Sequence, residues 1–389
     1  MKIAVGVIFG GRSVEHEVSI ISAVQTIHAI DAAEYDVIPV YISKDGSWYS
    51  GDVLKEIENF KNHSQLLAQC KRILPSVNSG EHTLFHYPQR LIQKRIFEKI
   101  DVVFPVMHGT YGEDGILQGV LEMMNIPYVG SDVLSSAVGM DKITQKMILK
   151  SAGLDSVKWT SLYGKEWLND HHAVLERIEK ALPYPLIVKP AALGSSIGVA
   201  KAENREDLET AIEMARAISQ RILVEEAIVD LREINCSVLG DYEHAEVSVC
   251  EEPIGSPDLL SFEDKYINTS SHKGMSGAKR QLPADLPEES ARVIQQMARQ
   301  TFQALQCQGV IRVDFLLDTA RDMIFVNEVN TIPGSLAFYL WEASGKSFKD
   351  LTSELIALAL KRHREKNSLI FSYDSNILTG YRGTKSLKK

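Results

Sequence analysis

Residues 310–334 read VIRVDFLLDTARDMIFVNEVNTIPG, and their pattern governs the reading of the rest of the chain. Two apolar runs, 310–317 and 323–329, have the spacing of a β-hairpin. The first presents Asp314; the second presents Glu328 and then Asn330. Unpaired charge among Val, Ile and Phe is very costly, so two carboxylates and a carboxamide in this setting need compensation. A hard divalent cation supplies it, and all-oxygen ligation suits Mg2+. Arg312 lies two residues from Asp314 and so shares its strand face. A metal and an arginine at one place point to phosphate, or to another developing negative charge.

The chain around this hairpin has 389 residues, 44% of them hydrophobic and 24% charged, with net charge −9. That length allows two or three domains and a large core. The acidic balance argues against a nucleic-acid or anionic-membrane partner. Met1-Lys2 leads directly into the strand-like IAVGVIF, so no secretory leader is expected. No apolar run approaches the roughly 20 residues of a membrane helix. Cys70, Cys236, Cys250 and Cys307 show no CxxC spacing, which fits free thiols in a reducing cytoplasm.

Residues 1–132 alternate strands and helices. IAVGVIF, DVIPVYI and DVVFPVM read as parallel strands buried on both faces, with an amphipathic helix at 18–30 between the first two. This is a doubly wound parallel sheet. Residues 46–95 are polar and read as an irregular excursion. A second unit, 133–229, opens with a helix at 141–152 and continues with the strands PLIVKP, IGVAKA and RILVEEA. A third, 230–365, holds EINCSVLG, HAEVSVC, a Gly/Ser-rich loop at 267–278, a helix at 288–305, the acidic hairpin and a helix at 348–362. Residues 366–389 form a polar tail. The fold class is thus mixed, α/β followed by α+β.

KPAALGSSIGVAKA, residues 189–202, is a lysine–loop–strand unit. Gly194, Ser195, Ser196 and Gly198 supply N–H and hydroxyl donors that can close over phosphates, although the Walker A spacing is absent. Lys142 stands at a helix start. Glu225, Glu226 and Glu233 flank strand ends, where an acid binds a ribose hydroxyl or an adenine amine, or is simply a surface charge. In GGRSVEHEVS, Glu15 and Glu17 open a helix; they either complement its dipole or bind an ammonium at the mouth of the sheet. His108 follows the strand DVVFPVM at another strand carboxyl end.

In order and combination, GGRSVEHEVS, HGTYGEDGILQG, MDK, KPAALGSSIGV, EDKY, RVDF and NEVNTIPG resemble the D-alanine–D-alanine ligases of the ATP-grasp superfamily over nearly the whole chain. The resemblance implies a two-subdomain ATP-grasp fold after the N-terminal domain, and a homodimer. It implies a cytoplasmic enzyme that joins two D-alanines, through an acylphosphate, for peptidoglycan. Lys142 and Lys189 then hold the ATP phosphates under Ser195 and Ser196. Glu225 and Glu233 meet adenine and ribose, and Glu226, Ala227 and Ile228 supply hinge contacts. Asp314, Glu328 and Asn330 hold two Mg2+ (or Mn2+) ions. Arg312 and the N–H of Gly334 stabilise the oxyanion, Glu15 holds the first ammonium, and His108 lies beside the first carboxylate. Lys265 and Tyr266 ride on a loop at 258–285 that closes over the site, with Lys265 reaching ATP and Tyr266 bonded to Glu15 and Ser195.

Two stretches depart from the family's usual pattern. The segment SFEDKYINTSSHKG is shorter before Lys265 than the usual tyrosine-rich version. After NTIPG the chain reads SLAFYLWEASG, so Tyr339 replaces a serine that binds the acceptor carboxylate, with Leu340 next to it. The acceptor carboxylate is then left to Lys265, to N–H groups near Leu340 or to the Tyr339 phenol. Two other functions stay open: a ligase of this family with another acceptor, such as D-serine or D-lactate, and a nucleotide-binding regulator without catalysis.

Overall fold

The computed structural model describes residues 2–89, 94–254 and 280–372, together with residues 376 and 379. Its strands form three sheets. The first contains β1 (Ile3–Gly10), β2 (Tyr35–Ile42), β3 (Trp48–Ser50), β4 (Lys71–Pro75), β5 (Thr83–His86), β6 (Ile96–Lys99) and β7 (Val102–Val106). Their order is β6-β5-β4-β3-β2-β1-β7. β2, β1 and β7 run parallel. Val5, Val7, Phe9, Phe104 and Val106 are all fully buried, because both faces of these strands are covered.

The remaining strands of this sheet correct one expectation. Residues 46–95 are not an irregular excursion: β3 to β6 continue the sheet in antiparallel fashion. These strands are three to five residues long. Such segments span too few periods for apolar alternation to stand out, and β4 buries only its central Ile73 fully.

The second sheet joins β8 (Trp159–Tyr163), β9 (Leu186–Pro190), β10 (Ala200–Ala202) and β11 (Arg221–Glu226) in the antiparallel order β10-β9-β11-β8. Helices His171–Ala181 and Arg205–Arg216 pack Leu175, Ile178, Leu208 and Ile212 against it.

The third sheet joins β12 (Leu231–Gly240), β13 (Ala245–Pro253), β14 (Arg280–Gln281), β15 (Gly309–Asp318) and β16 (Met323–Asn330) in the antiparallel order β14-β13-β12-β15-β16. Alternation gives this sheet two faces of opposite chemistry. Ile234, Cys236, Val238, Ile311, Val313 and Phe315 pack under the helix Glu288–Ala304. Asn235, Ser237, Arg312 and Asp314, the residues between them, turn the other way. A one-residue bulge on β16 inserts Asn327 between the pairs Asp314↔Glu328 and Phe315↔Val326. Bulges re-aim side chains beside active sites, and this one lies among the acids.

The helix Phe348–Asn367 seats Leu351, Leu355 and Ile356 in the core of the first sheet, tying the end of the described chain to its beginning. The four cysteines are buried and free. Among the described residues no helix is long and apolar enough to cross a membrane.

Phe302 is 1% exposed between the helix Glu288–Ala304 and the third sheet. Phe302→Ala is expected to lower stability by about 3–5 kcal/mol, through lost transfer free energy and a residual cavity. Urea unfolding followed by circular dichroism measures this; a loss below about 1 kcal/mol would mean that this helix is not held through Phe302.

Candidate active site

The polar face of the third sheet carries the chemistry. Asp314 on β15 stands directly opposite Glu328 on β16, and Arg312 directly opposite Asn330. Arg312 grips Asp314 with two bonds, Nε to Oδ1 at 2.6 Å and Nη2 to Oδ2 at 2.8 Å. Burial works against the guanidinium's charge, but Asp314 outweighs it and the pKa of Arg312 rises further. The Asn330 amide lies 3.1 Å from Asp314 Oδ2. Among the described residues no three His, Cys, Asp or Glu side chains gather at one point. The set here is two carboxylates and one carboxamide on a half-buried face, which is oxygen chemistry suited to a hard divalent cation.

Lysines from the second unit face these acids. Lys142 Nζ lies 3.3 Å from Glu328 Oε2 and 2.8 Å from the Leu193 carbonyl. Lys189 Nζ lies 3.1 Å from Oδ1 of the bulged Asn327. Beneath them Glu225 is 1% exposed, with Lys146 Nζ 2.6 Å from Oε1 and Lys189 Nζ 2.6 Å from Oε2. Burial would raise the Glu225 pKa, yet the two lysines hold it down to about 2. Each of its oxygens lies within ion-pair distance of a lysine, so Glu225 sets the lysines. Glu233 adds its field to that of Glu225 and Glu328 on Lys189.

The N-terminal unit closes the other side. Ser195 donates to Glu15, which joins the Gly/Ser loop to the start of the helix His16–Ala29. The approach is tight. A Cβ at Gly194 would lie 2.8 Å from Glu15 Oε2, and one at Gly109, whose φ is +70°, 2.5 Å from the same atom. Ser195 and Ser196 hold left-handed backbones, φ +55° and +57°, a strain that persists only where the surroundings enforce it.

His108 is 3% exposed, bonded to Ser22 Oγ at 2.9 Å. Burial lowers its pKa to about 4, so it is neutral near pH 7. Ser22 Oγ also accepts the Ser335 N–H at 2.9 Å, and Ser335 Oγ donates to Gln25 at 2.6 Å. These bonds hold the turn after Gly334, in which Ser335, Leu336 and Ala337 all have φ near +50°. Glu113 accepts the N–H of Gly109 at 2.8 Å and that of Ile332 at 3.0 Å. Burial, and then the charge of Glu15, push its pKa up to about 8.

The adenine hinge and the acceptor end also have definite contacts. Arg321 pairs with Glu226 at 2.6 Å. The N–H groups of Glu226 and Ala227 go to Lys158 and Pro185 carbonyls at 2.9 and 3.0 Å, and Ile228 is half-buried beyond them. Leu340 is fully buried. The Tyr339 hydroxyl donates to Glu251 Oε1 at 2.7 Å, so its hydrogen is not directed at an acceptor. Lys265, Tyr266 and the loop 267–278 lie outside the described residues.

Several residues were missed in the sequence. Lys146 follows Lys142 by one helical turn, and that i, i+4 spacing was a usable signal. Glu113 sits inside HGTYGEDG. Ser22, Asn327, Glu251 and Arg321 gave no local signal, because register and packing bring them in.

The family described as D-ala D-ala ligase N-terminus matches residues 4–131, and D-ala D-ala ligase C-terminus matches residues 148–357. A D-alanine–D-alanine ligase of Thermosipho melanesiensis is 40% identical over 376 residues, covering 96% of this chain and 98% of its own. The solved D-alanine-D-alanine ligase of Coxiella burnetii superposes with a TM-score of 0.79 at 32% identity, covering 94% and 96% of the two chains. The D-Ala:D-Ser ligase VanG of Enterococcus faecalis superposes at 0.78 with 33% identity, covering 92% and 100%.

Glu225→Gln leaves Lys146 and Lys189 buried with one charge too few between them. It is expected to destabilise the protein by about 3–5 kcal/mol, as breaking one partner of a buried ion pair does. The double variant Lys146→Met with Glu225→Gln should recover part of the loss. Thermal melts of the three proteins test this; equal midpoints would show that the triad carries no stability.

Proposed function

The chain belongs to the D-alanine–D-alanine ligase family, and from that premise we propose how it joins two molecules of D-alanine to D-alanyl-D-alanine for peptidoglycan synthesis. ATP and a divalent metal are the family's co-reactants. One observation carries the assignment of roles: Asp314, Glu328, Asn330 and Arg312 share one face, met by Lys142 and Lys189 from the facing unit. That arrangement gathers oxygen ligands, phosphate-binding cations and an oxyanion donor at one place.

In this reading ATP lies between the second and third sheets. Lys142 and Lys189 pass from Glu328 and Asn327 to its phosphates, with Ser195 and Ser196 above. Glu226 to Ile228 bound the adenine, and Glu233 the ribose. Asp314, Glu328 and Asn330 would hold the metal, as two Mg2+ or Mn2+ ions, whose charge offsets that of the transferring phosphoryl group. Glu15, fixed by Ser195, binds the ammonium of the first D-alanine, and neutral His108 helps shape the pocket for its carboxylate. That carboxylate takes the γ-phosphoryl group, giving an acylphosphate and ADP. The amine of the second D-alanine attacks the acyl carbon, the C–O bond to phosphate breaks, and phosphate leaves with the electron pair. Arg312 and the Gly334 N–H stabilise the oxyanion between these events. Lys265 and Tyr266 belong to the same proposal, as do the boundaries 1–132, 133–229 and 230–365, a cytoplasmic location and a homodimer. Free buried cysteines support the cytoplasm.

Phosphate release from ATP, measured with and without D-alanine and with mass spectrometry of the product, tests the function. Release that ignores D-alanine, or no dipeptide, would overturn it. Glu328→Gln should lower turnover by at least about 100-fold at ordinary Mg2+, through lost stabilisation of the phosphoryl group. Near-normal turnover would remove Glu328 from the metal site.

Glu113 gives a pH dependence. Its pKa of about 8 is raised by burial and by Glu15, and lowered by its two N–H donors and by Arg312. An ammonium bound at Glu15 cancels part of that charge, so the Glu113 pKa falls and a proton leaves on binding. Binding that releases protons strengthens as pH rises. The first-site KM should therefore drop, by up to about threefold, between pH 7 and 8. Calorimetry of D-alanine binding in buffers of different ionisation enthalpy tests this directly, and a heat independent of buffer would refute it.

A further inference from the structure

The turn after β16 is fixed one peptide group at a time. The Ile332 N–H donates to Glu113 Oε1 at 3.0 Å. The Ile332 carbonyl accepts from His108. The Pro333 carbonyl accepts the Leu336 N–H at 2.8 Å. The Ser335 N–H donates to Ser22 Oγ at 2.9 Å. Pro333 has no N–H to give. From 332 to 336, therefore, the Gly334 N–H is the one donor with no hydrogen bond among the described residues. It belongs to the same trans peptide group as the Pro333 carbonyl, and in such a group N–H and C=O point opposite ways. The bond from Leu336 to that carbonyl thus turns the Gly334 N–H outward.

The direction of each proton around the turn follows. A carbonyl only accepts, so the His108 nitrogen that meets Ile332 carries a hydrogen. Ser22 Oγ takes the Nε2 side at 2.9 Å, which leaves Nδ1–H for Ile332. His108 is neutral near pH 7, because burial lowers its pKa to about 4. Its Nε2 is then bare and accepts the Ser22 hydroxyl proton, while Ser22 Oγ accepts the Ser335 N–H. One run of bonds goes from Ser335 through Ser22 and His108 to the Ile332 carbonyl and brackets Gly334. The other tautomer would leave Ile332 without its donor. Ser22 and His108 are 1% and 3% exposed, so a broken link leaves a buried polar group unpaired.

We propose that Ser22 and His108 are positioning residues for the oxyanion: their bonds hold the turn so that the Gly334 N–H faces the tetrahedral intermediate. The proposal rests on the ligase reading and adds a second task for the N-terminal unit, which supplies both residues, one from the helix His16–Ala29 and one from the end of β7. Both ring nitrogens of His108 are in use, so it acts through the turn. The left-handed backbones of Ser335, Leu336 and Ala337 fit this, since strain of that kind persists only where the surroundings enforce it. Phosphoryl transfer to the first carboxylate makes no tetrahedral carbon, whereas attack of the second amine does. Loosening the turn should therefore slow the second step and spare the first.

The test uses the full-length enzyme and ATP carrying oxygen-18 in its β,γ-bridge. Each reversal of phosphoryl transfer to D-alanine can move that label out of the bridge, so the exchange follows the first step alone, while dipeptide formation needs both. Ser22→Ala should lower kcat by about 10- to 100-fold, as a misplacement of about 1 Å at a reacting centre does. First-site and ATP KM should change by less than about twofold, and the ratio of exchange to dipeptide formation should rise. His108→Ala should do the same. His108→Gln, whose side-chain oxygen can accept the Ser22 proton, should recover part of the lost turnover. The two His108 variants carry the test if Ser22→Ala does not fold. An unchanged kcat in Ser22→Ala overturns the proposal, as does an equal loss of exchange and dipeptide formation, or a loss confined to first-site KM. His108→Gln no better than His108→Ala overturns the role of His108. A wild-type enzyme that shows neither D-alanine-dependent exchange nor dipeptide overturns the ligase reading itself.

Discussion

Buried carboxylates must be matched by cations, and that constraint organises the centre of this molecule. Glu225 is matched by Lys146 and Lys189, Glu328 by Lys142, Asp314 by Arg312 and Glu251 by Arg280. An unmatched partner at any of these places would carry a desolvation cost of several kcal/mol. The pairing crosses structural units: Lys142 and Lys146 come from the helix Lys142–Ser151, Lys189 and Glu225 from the second sheet, and Glu328 from the third. The pair of Lys142 with Glu328 thus joins the second unit to the third, beside the apolar contacts that Leu149 and Leu154 make in the core of the third sheet.

A second constraint acts on the backbone. Three successive non-glycine residues, Ser335, Leu336 and Ala337, hold left-handed conformations, each costing about 1–2 kcal/mol. Ser22 and Gln25 of the helix His16–Ala29 offset part of this by bonding Ser335, and Glu113 takes the Ile332 N–H. The N-terminal unit therefore shapes a turn whose residues belong to the third unit. The strain lies next to Gly334, whose N–H the proposed mechanism aims at a reacting oxygen, and strain concentrated at such a place is a sign of pre-organisation.

These two constraints explain what the sequence could reveal. The acidic hairpin was legible because its oxygens interrupt apolar runs, so the conflict between burial and charge is visible in residues 310–330. The parallel strands β1, β2 and β7 were legible as continuous apolar runs. The antiparallel strands within 46–95 were not, because three- to five-residue strands with a wet face leave little periodicity. The partners of Glu225 were hidden because an acid at a strand end has no visible partner in one dimension; the fold brings Lys146 and Lys189 to it. Glu251 was illegible for the same reason: only the register β13–β12–β15–β16 lines it up with Asp314. The bulge at Asn327 adds one residue that no alternation pattern predicts.

The resting ion pairs also bear on how a nucleotide could enter. Moving a lysine from water into a half-buried cleft is costly, but Lys142 and Lys189 are already about nine-tenths buried, on carboxylates. A phosphate that replaces Glu328 at Lys142 exchanges one anion for another at a cation already desolvated and oriented. Much of the ordering that binding would otherwise require is then complete in the folded chain. In the proposed mechanism that exchange would also release Glu328 as the phosphate arrives, leaving the carboxylate to a cation where the phosphate's charge needs one. Lys189 differs, because Glu225 remains beside it throughout, held on its far side by Lys146. Lys142 would thus exchange its carboxylate for the phosphate, whereas Lys189 would keep Glu225 and give up only Asn327, and the difference follows from which carboxylate lies on the open face of the sheet and which lies beneath it.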